Sequence, residues 1–164
     1  MKAANVSSAI RLDREFLHLL SVFSEQMNAK KTLPIAANGL SGGALDAAAQ
    51  EILRECKEKH GAPLLVLAEN EKECRRLAAL FGEAGFASKA YPYRDFIMYP
   101  VTASHEHDRE RLSVLYGLMA GTLDCVVAMP SAALQYTMPY EHLRASVLSL
   151  RVGKSNRLTR SAAV

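Results

Sequence analysis

The alternation of short apolar runs with stretches long enough for a helix constrains this chain more than any other feature. "PLLVLA" (63–68) is a continuous apolar run bounded by a proline and a polar turn. Runs of that kind suit a strand buried on both faces of a parallel sheet. "DCVVAMP" (124–130) reads as another buried strand, "ASKAYPY" (87–93) as a strand, and "KTLPIAANG" (31–39) as an earlier, short strand entering a glycine turn. "YEHLRASVLSLRVG" (140–153) ends in a strand whose alternation puts Val147, Leu148 and Leu150 near a core.

The stretches between the runs carry helix signals. Ile10, Leu12, Phe16, Leu19, Leu20 and Phe23 recur at helical spacing over 9–27, with Ser8 in a capping position. "ALDAAAQEILRECKEKHG" (44–61) is rich in strong helix formers and closes on Gly61. "NEKECRRLAALFGEAG" (70–85) is amphipathic, with Asn70 as cap and Glu71 and Glu73 at the positive helix end. "SHEHDRERLSVLYGLMAG" (104–121) predicts a helix burying Leu112, Leu115, Leu118 and Met119, and "SAALQYTMP" (131–139) a short helix starting at Ser131. Strands alternating with helices of this length make βαβ units, whose crossovers place helices on both faces of a mainly parallel sheet. The fold class is therefore α/β, with residues 1–32 as an N-terminal helix, 33–153 as the α/β lobe and 154–164 as a polar, basic tail or the start of a further domain.

Composition narrows the function classes. The 164 residues suffice for one buried core, and a net charge of +3 without a clustered basic face does not point to nucleic acid. The N-terminus lacks a secretory h-region, and no apolar run approaches the about 20 residues of a membrane span, so a cytoplasmic protein is expected. Cys56, Cys74 and Cys125 form no C-x-x-C, which argues against a disulfide framework and fits a reducing compartment.

The turn "GLSGGALD" (39–46) sits where a phosphate-binding loop would. Gly39, Ser41, Gly42 and Gly43 can supply a backbone anion cradle at a helix N-terminus. Such loops also need a lysine for the β- and γ-phosphates and an adjacent hydroxyl for Mg²⁺. Those places hold Leu45 and Asp46, so the loop is degenerate and a non-catalytic turn is the favoured reading over a working nucleotide site.

Other candidates read blandly. His105, Glu106, His107 and Asp108 form an acid-rich helix start rather than a metal site, and His18, His60 and His142 stand alone. Tyr91, Tyr93, Phe96 and Tyr99, interrupted by Pro92 and Pro100, fit a loop that packs its rings over the sheet end better than a base-stacking platform. Arg75, Arg76, Arg109 and Arg111 read as solvated helix faces beside acids. Cys125, in an apolar strand, reads as inert. No catalytic residue, cofactor site or metal site is expected.

Four segments in register carry a family likeness: "GLSGGALDAA", "LLVLAENEKECRRLAALF", the run 91–139 and "SVLSLRVG". Within them Tyr91–Pro100, "DRERLSVLYGL" and "VVAMPSAALQY" are the most specific. From Leu33 to Gly153 the chain resembles the N-terminal, UvrB-like module of the bacterial transcription-repair coupling factor (Mfd), and UvrB more distantly. The resemblance implies a P-loop-NTPase-like lobe similar to UvrB domain 1a. It also implies a parent protein that is an ATP-driven double-stranded DNA translocase, using ATP and Mg²⁺ in a motor far C-terminal to this module. That parent displaces stalled RNA polymerase and recruits the excision-repair protein UvrA. The N-terminal module serves there as a docking and autoinhibitory part that contacts other domains of the same chain.

Three departures from UvrB bear on the chemistry. Leu45 and Asp46 replace its Lys-Thr pair. Glu69, Asn70, Glu71 and Lys72 replace a His-Asn-Lys-Thr type segment, and Arg94–Ser104 is too short for its DNA-clamping hairpin. Each departure removes nucleotide or DNA chemistry, which leaves a lobe kept for its shape. An ATP-binding helicase-type domain and a DNA-binding module are the alternatives.

Overall fold

The computed structural model describes residues 9–31, 33–94 and 106–147. Helix α1 (Arg14–Asn28) is capped by Asp13, whose carboxylate accepts from the Phe16 N–H at 2.8 Å. The cap is therefore Asp13, with the helix starting at Arg14. The expected cap, Ser8, lies outside the described residues. An aspartate in extended backbone one residue before the helix satisfies an orphan amide more directly than the periodicity alone could reveal.

Helix α2 (Gly43–Glu55) continues into a π-helical turn, Cys56–His60, which Gly61 ends in the left-handed conformation at φ 60°. Strand β1 (Leu64–Leu67) follows, then α3 (Glu71–Glu83), capped by Asn70 accepting from the Glu73 N–H at 2.9 Å. Strand β2 (Ser88–Tyr91), α4 (Glu106–Met119) and β3 (Cys125–Ala128) come next. Two short helices, α5 (Pro130–Ala133) and α6 (Tyr140–Ser146), complete the described chain. Helix α5 begins one residue earlier than expected, because Pro130 occupies its first turn, where a missing N–H costs nothing.

The strands form one parallel sheet of order β1-β3-β2, with Leu64 and Ser88 both opposite Cys125. The α/β class holds, with helices on both faces. On one side, here face A, Cys125 and Val127 pack against Leu53 of α2, Cys74, Ala78 and Phe81 of α3, and Phe86. On the other, face B, Val126, Ala128 and Tyr91 pack against Val114 of α4 and Ala132 of α5. β3 is buried along its whole length because it is central and covered twice. No helix among the described residues is long and apolar enough to cross a membrane.

Two sequence expectations are corrected. Residues 33–38 form no strand, and Leu33 and Ile35 are exposed. Pro34 cannot donate to a ladder, and Asn38-Gly39 is a turn pair that stops extension early. Helix α4 is rotated from its expected phase: it buries Arg111, Val114 and Gly117, leaving Leu112 and Leu118 exposed and Leu115 and Met119 half-buried. Gly117 permits a close approach there, since a Cβ would lie 2.8 Å from Leu123 Cδ1. The expected strand residues Leu148 and Leu150 lie outside the described residues, whereas Val147 ends α6 in extended backbone.

Candidate functional site

The glycine turn leads directly into α2 and carries neither a lysine nor a hydroxyl at positions 45 and 46. Gly39 and Gly42 take positive φ (86° and 51°), and an added Cβ would meet nothing within 4 Å at either, so conformation rather than space requires glycine. Gly43 opens α2, and the Ser41 carbonyl accepts from the Ala44 N–H at 3.2 Å. Leu45, at the position where a phosphate loop carries its lysine, is 53% exposed.

Asp46 has a partner the sequence reading did not foresee. Arg76 of α3 grips it with two parallel hydrogen bonds, Nη1 to Oδ2 and Nη2 to Oδ1, each 2.8 Å. The same guanidinium donates to Glu73 at 2.6 and 2.9 Å. The Asp46 bonds, then those to Glu73, push Arg76 above the ordinary arginine value. Arg76 in turn holds Glu73 below the usual carboxylate range. The first turn of α2 is thus pinned to the second turn of α3, with Glu73 of its first turn joined through the same guanidinium, and the carboxylate at this helix N-terminus is the protein's own. Arg76 remains half-exposed, as a solvated face requires, but it is committed to two acids.

A cleft of about 770 Å³ adjoins the turn between α1 and residues 35–44. Ile10, Phe16, Leu19, Ile35 and Leu40 contribute apolar walls, and Asp13 and Asn38 polar ones. His18 lies on its rim, exposed. Nearby, Glu51 of α2 is 5% exposed and takes Arg11 Nε at 2.7 Å and Arg54 Nη1 at 2.5 Å, which ties the segment before α1 to α2.

The second constellation lies at the carboxyl ends of β2 and β3, the edge where ligands of parallel sheets bind. Arg111, expected on a solvated face, is 6% exposed. Its Nη1 donates to the Pro92 carbonyl at 2.8 Å and to Gln135 Oε1 at 2.9 Å, and its guanidinium carbon sits 4.2 Å from the centroid of the Tyr91 ring. Backbone carbonyl, amide oxygen and aromatic face are the partners that draw it inward. Gln135 completes the clamp by bonding both backbone groups of Arg94, donating to its carbonyl (2.8 Å) and accepting from its N–H (3.0 Å). Arg94 also pairs with Asp108 at 3.2 Å.

Tyr91 packs its ring over the sheet end as expected, and burial pushes its phenol up while Arg111 opposes the shift. Tyr93 packs beside it; Phe96 and Tyr99 lie outside the described residues. Arg109 is exposed, as expected. The signal that could have found Arg111 is its spacing of three and six from Val114 and Gly117, a buried stripe with a polar first member.

His105 lies outside the described residues, Glu106 and His107 are exposed at the start of α4, and Asp108 is engaged with Arg94. No group of three metal-ligating side chains is present among the described residues. His60 is half-buried and His142 exposed, on separate elements. The three cysteines are free and buried; burial pushes Cys125 up to about 11, which suppresses its thiolate at neutral pH.

Fold and site together define an α/β domain with, among the described residues, a three-stranded parallel sheet, a glycine turn followed by Leu45 and Asp46, and a buried arginine clamp. No known protein family, curated protein or solved structure matches the chain.

Proposed function

We propose that this chain is a non-catalytic docking lobe of the UvrB-like kind found at the N-terminus of the bacterial transcription-repair coupling factor. In this reading its finer fold is that of a P-loop-NTPase-like lobe whose phosphate loop has lost its chemistry. Its partners are other domains of the parent chain. Through the parent they extend to UvrA, RNA polymerase and double-stranded DNA, with ATP and Mg²⁺ confined to the parent's motor and the whole working in the cytoplasm.

The observation that carries the reading is the Asp46–Arg76 pair. A working loop presents a cation to the phosphates; here Arg76, the basic group bound at this turn, is spent on the protein's own carboxylates, and the lysine position is an exposed leucine. A second support is that Tyr91 to Arg94, Arg111 and Gln135 come from the three most specific stretches of the family likeness and meet in one clamp. Residues held for mutual packing and hydrogen bonding serve a shape, and an exposed Leu45 suits a surface met by another domain.

Calorimetric titration with ATP and Mg²⁺ tests the proposal. No binding tighter than about 1 mM, equivalent to ~4 kcal/mol, is expected; micromolar binding overturns it. A duplex DNA titration at two salt concentrations tests the remaining class, since steeply salt-dependent binding marks several phosphate contacts. For the docking role, deleting the lobe from the parent is expected to raise its DNA-independent ATPase rate, and an unchanged rate counts against autoinhibition.

A further inference from the structure

Strand β1 is left bare in two ways. Leu64 and Ala68 donate their N–H groups to Asp124 and Ala128 of the β3 side, at 2.9 and 3.0 Å. In a parallel ladder both backbone groups of a residue turn to the same neighbour. The N–H and C=O groups of Leu65 and Leu67 therefore point away from β3, and among the described residues β1 pairs with no other strand. The side chains of the same two residues, on face B, are 56% and 54% exposed. Leu65 borders an apolar groove of about 330 Å³ lined also by Val126, Ala128, Leu115, Leu118 and Thr137. An uncharged strand with an open edge and an open apolar face is a template for mispairing, and native proteins cover such edges.

The path of the chain says what covers it. From β1 to β2 the chain crosses past β3 with α3 on face A. From β2 to β3 it returns in the opposite direction with α4 on face B. Opposite directions over opposite faces are one and the same hand, and parallel crossovers hold to a single hand almost without exception. After β3 the chain runs over face B again: Ala132 of α5 lies in that core and α6 packs on α4. A parallel strand reached over face B with the same hand falls on the β1 side of β3, and the open position there is the outer edge of β1.

The chain leaves α6 at Val147 in extended backbone, φ −78° and ψ 120°. The sequence then alternates apolar and polar residues: Leu148, Ser149, Leu150, Arg151, Val152. We propose that residues 148–152 add to β1 as a fourth parallel strand, giving the order (148–152)-β1-β3-β2. Leu148, Leu150 and Val152 then lie on face B beside Leu65 and Leu67 and close the groove, while Ser149 and Arg151 turn to the other face. The inference stands independently of the proposed function.

Residue-resolved amide hydrogen exchange on the full chain tests it, with Val66, whose N–H faces β3, as the internal control. The Leu65 and Leu67 amides are expected to be protected to a degree comparable with Val66. Leu148→Asp combined with Leu150→Asp is expected to accelerate Leu65 and Leu67 by about tenfold or more, with Val66 unchanged. Three results overturn the proposal: unprotected Leu65 and Leu67 in the wild-type chain beside a protected Val66; protection that rises with protein concentration, which assigns the edge to a second copy; or protection indifferent to the double substitution, which assigns it to another segment. If the double variant loses protection at Val66 as well, Ser149→Pro, which keeps both leucines and removes one N–H facing β1, supplies the same readout.

Discussion

Removing the Asp46 charge tests the idea that the degenerate loop has become a brace. Asp46→Asn keeps the size of the side chain and breaks the two-pronged bond to Arg76. Exposed ion pairs contribute about 0.2–1 kcal/mol, and the parallel geometry with a mostly covered carboxylate places this one near ~1 kcal/mol. A carboxylate in the first turn of a helix adds about 0.3–1 kcal/mol through the helix dipole, so the single substitution should cost about 1–2 kcal/mol. Arg76→Gln removes the pair together with the exposed bonds to Glu73, and leaves Asp46 facing the helix end. A double-mutant cycle isolates the pair, with an expected coupling of about 0.5–1 kcal/mol. Urea denaturation of the four proteins measures it. In 1 M NaCl the screening length falls to about 3 Å, and the coupling should shrink by about half or more. Arg76 also holds Glu73, so part of its interaction survives the loss of Asp46, which caps the effect from above. A coupling indistinguishable from zero at low salt would refute the brace and leave Asp46 as an ordinary first-turn acid.

Three further outcomes are expected. Arg111→Ala, which strips the Pro92 carbonyl and the Tyr91 ring of their partner, should destabilise by about 2–4 kcal/mol in urea, whereas Arg109→Ala should stay within about 0.5 kcal/mol; equal costs would show the clamp to be inert. Asp124 is pushed up by burial, but its bonds from Lys57 (2.7 Å) and the Ala87 N–H (2.8 Å) outweigh that and hold its carboxyl below the usual range. Its contribution is therefore complete above the unfolded value of about 3.9 and fades as pH falls through the lower folded value, so the stability gap between wild type and Asp124→Asn should narrow in acid titrations below about pH 4; a constant gap contradicts the assignment. Leu45→Lys combined with Asp46→Thr restores the residue types of a phosphate loop without a second motor lobe, and phosphate-release assays should find no ATP turnover. Turnover above the wild-type background would contradict that expectation.

The local signals in this chain were legible and the long-range ones were not. β1 and β3 stand in the sequence as apolar runs between turn residues, β2 lies within the expected strand segment 87–93, and Asn70 and Gly61 act at the helix ends where their chemistry places them. "LPIA" at 33–36 offered a similar apolar run but forms no strand, because strand formation is decided by a neighbouring ladder as well as by the segment, and Pro34 weakens any bid for one. The phase of α4 does not follow its leucines, since its buried face is Arg111, Val114 and Gly117. A helix that buries an arginine at one turn and a glycine two turns on shows a weak apolar stripe, and its true contact face is set by what Pro92, Gln135 and Leu123 present to it.

The candidate site divides along the same line. That the turn lacks a lysine and a hydroxyl is visible in two adjacent letters, Leu45 and Asp46. That Asp46 is matched by Arg76 is not, because the two are thirty positions apart and meet only when α2 and α3 pack on the same face of the sheet. The difference matters for mechanism. An unpaired aspartate at a helix N-terminus only repels phosphate, and a single substitution could relieve that repulsion. An aspartate braced to a neighbouring helix is also structural: replacing it unties α2 from α3 and leaves Glu73 as the partner of Arg76 among the described residues. Placing a lysine and a hydroxyl at positions 45 and 46 therefore requires coordinated change on two helices, because the carboxylate removed from α2 leaves the guanidinium of α3 to be matched anew.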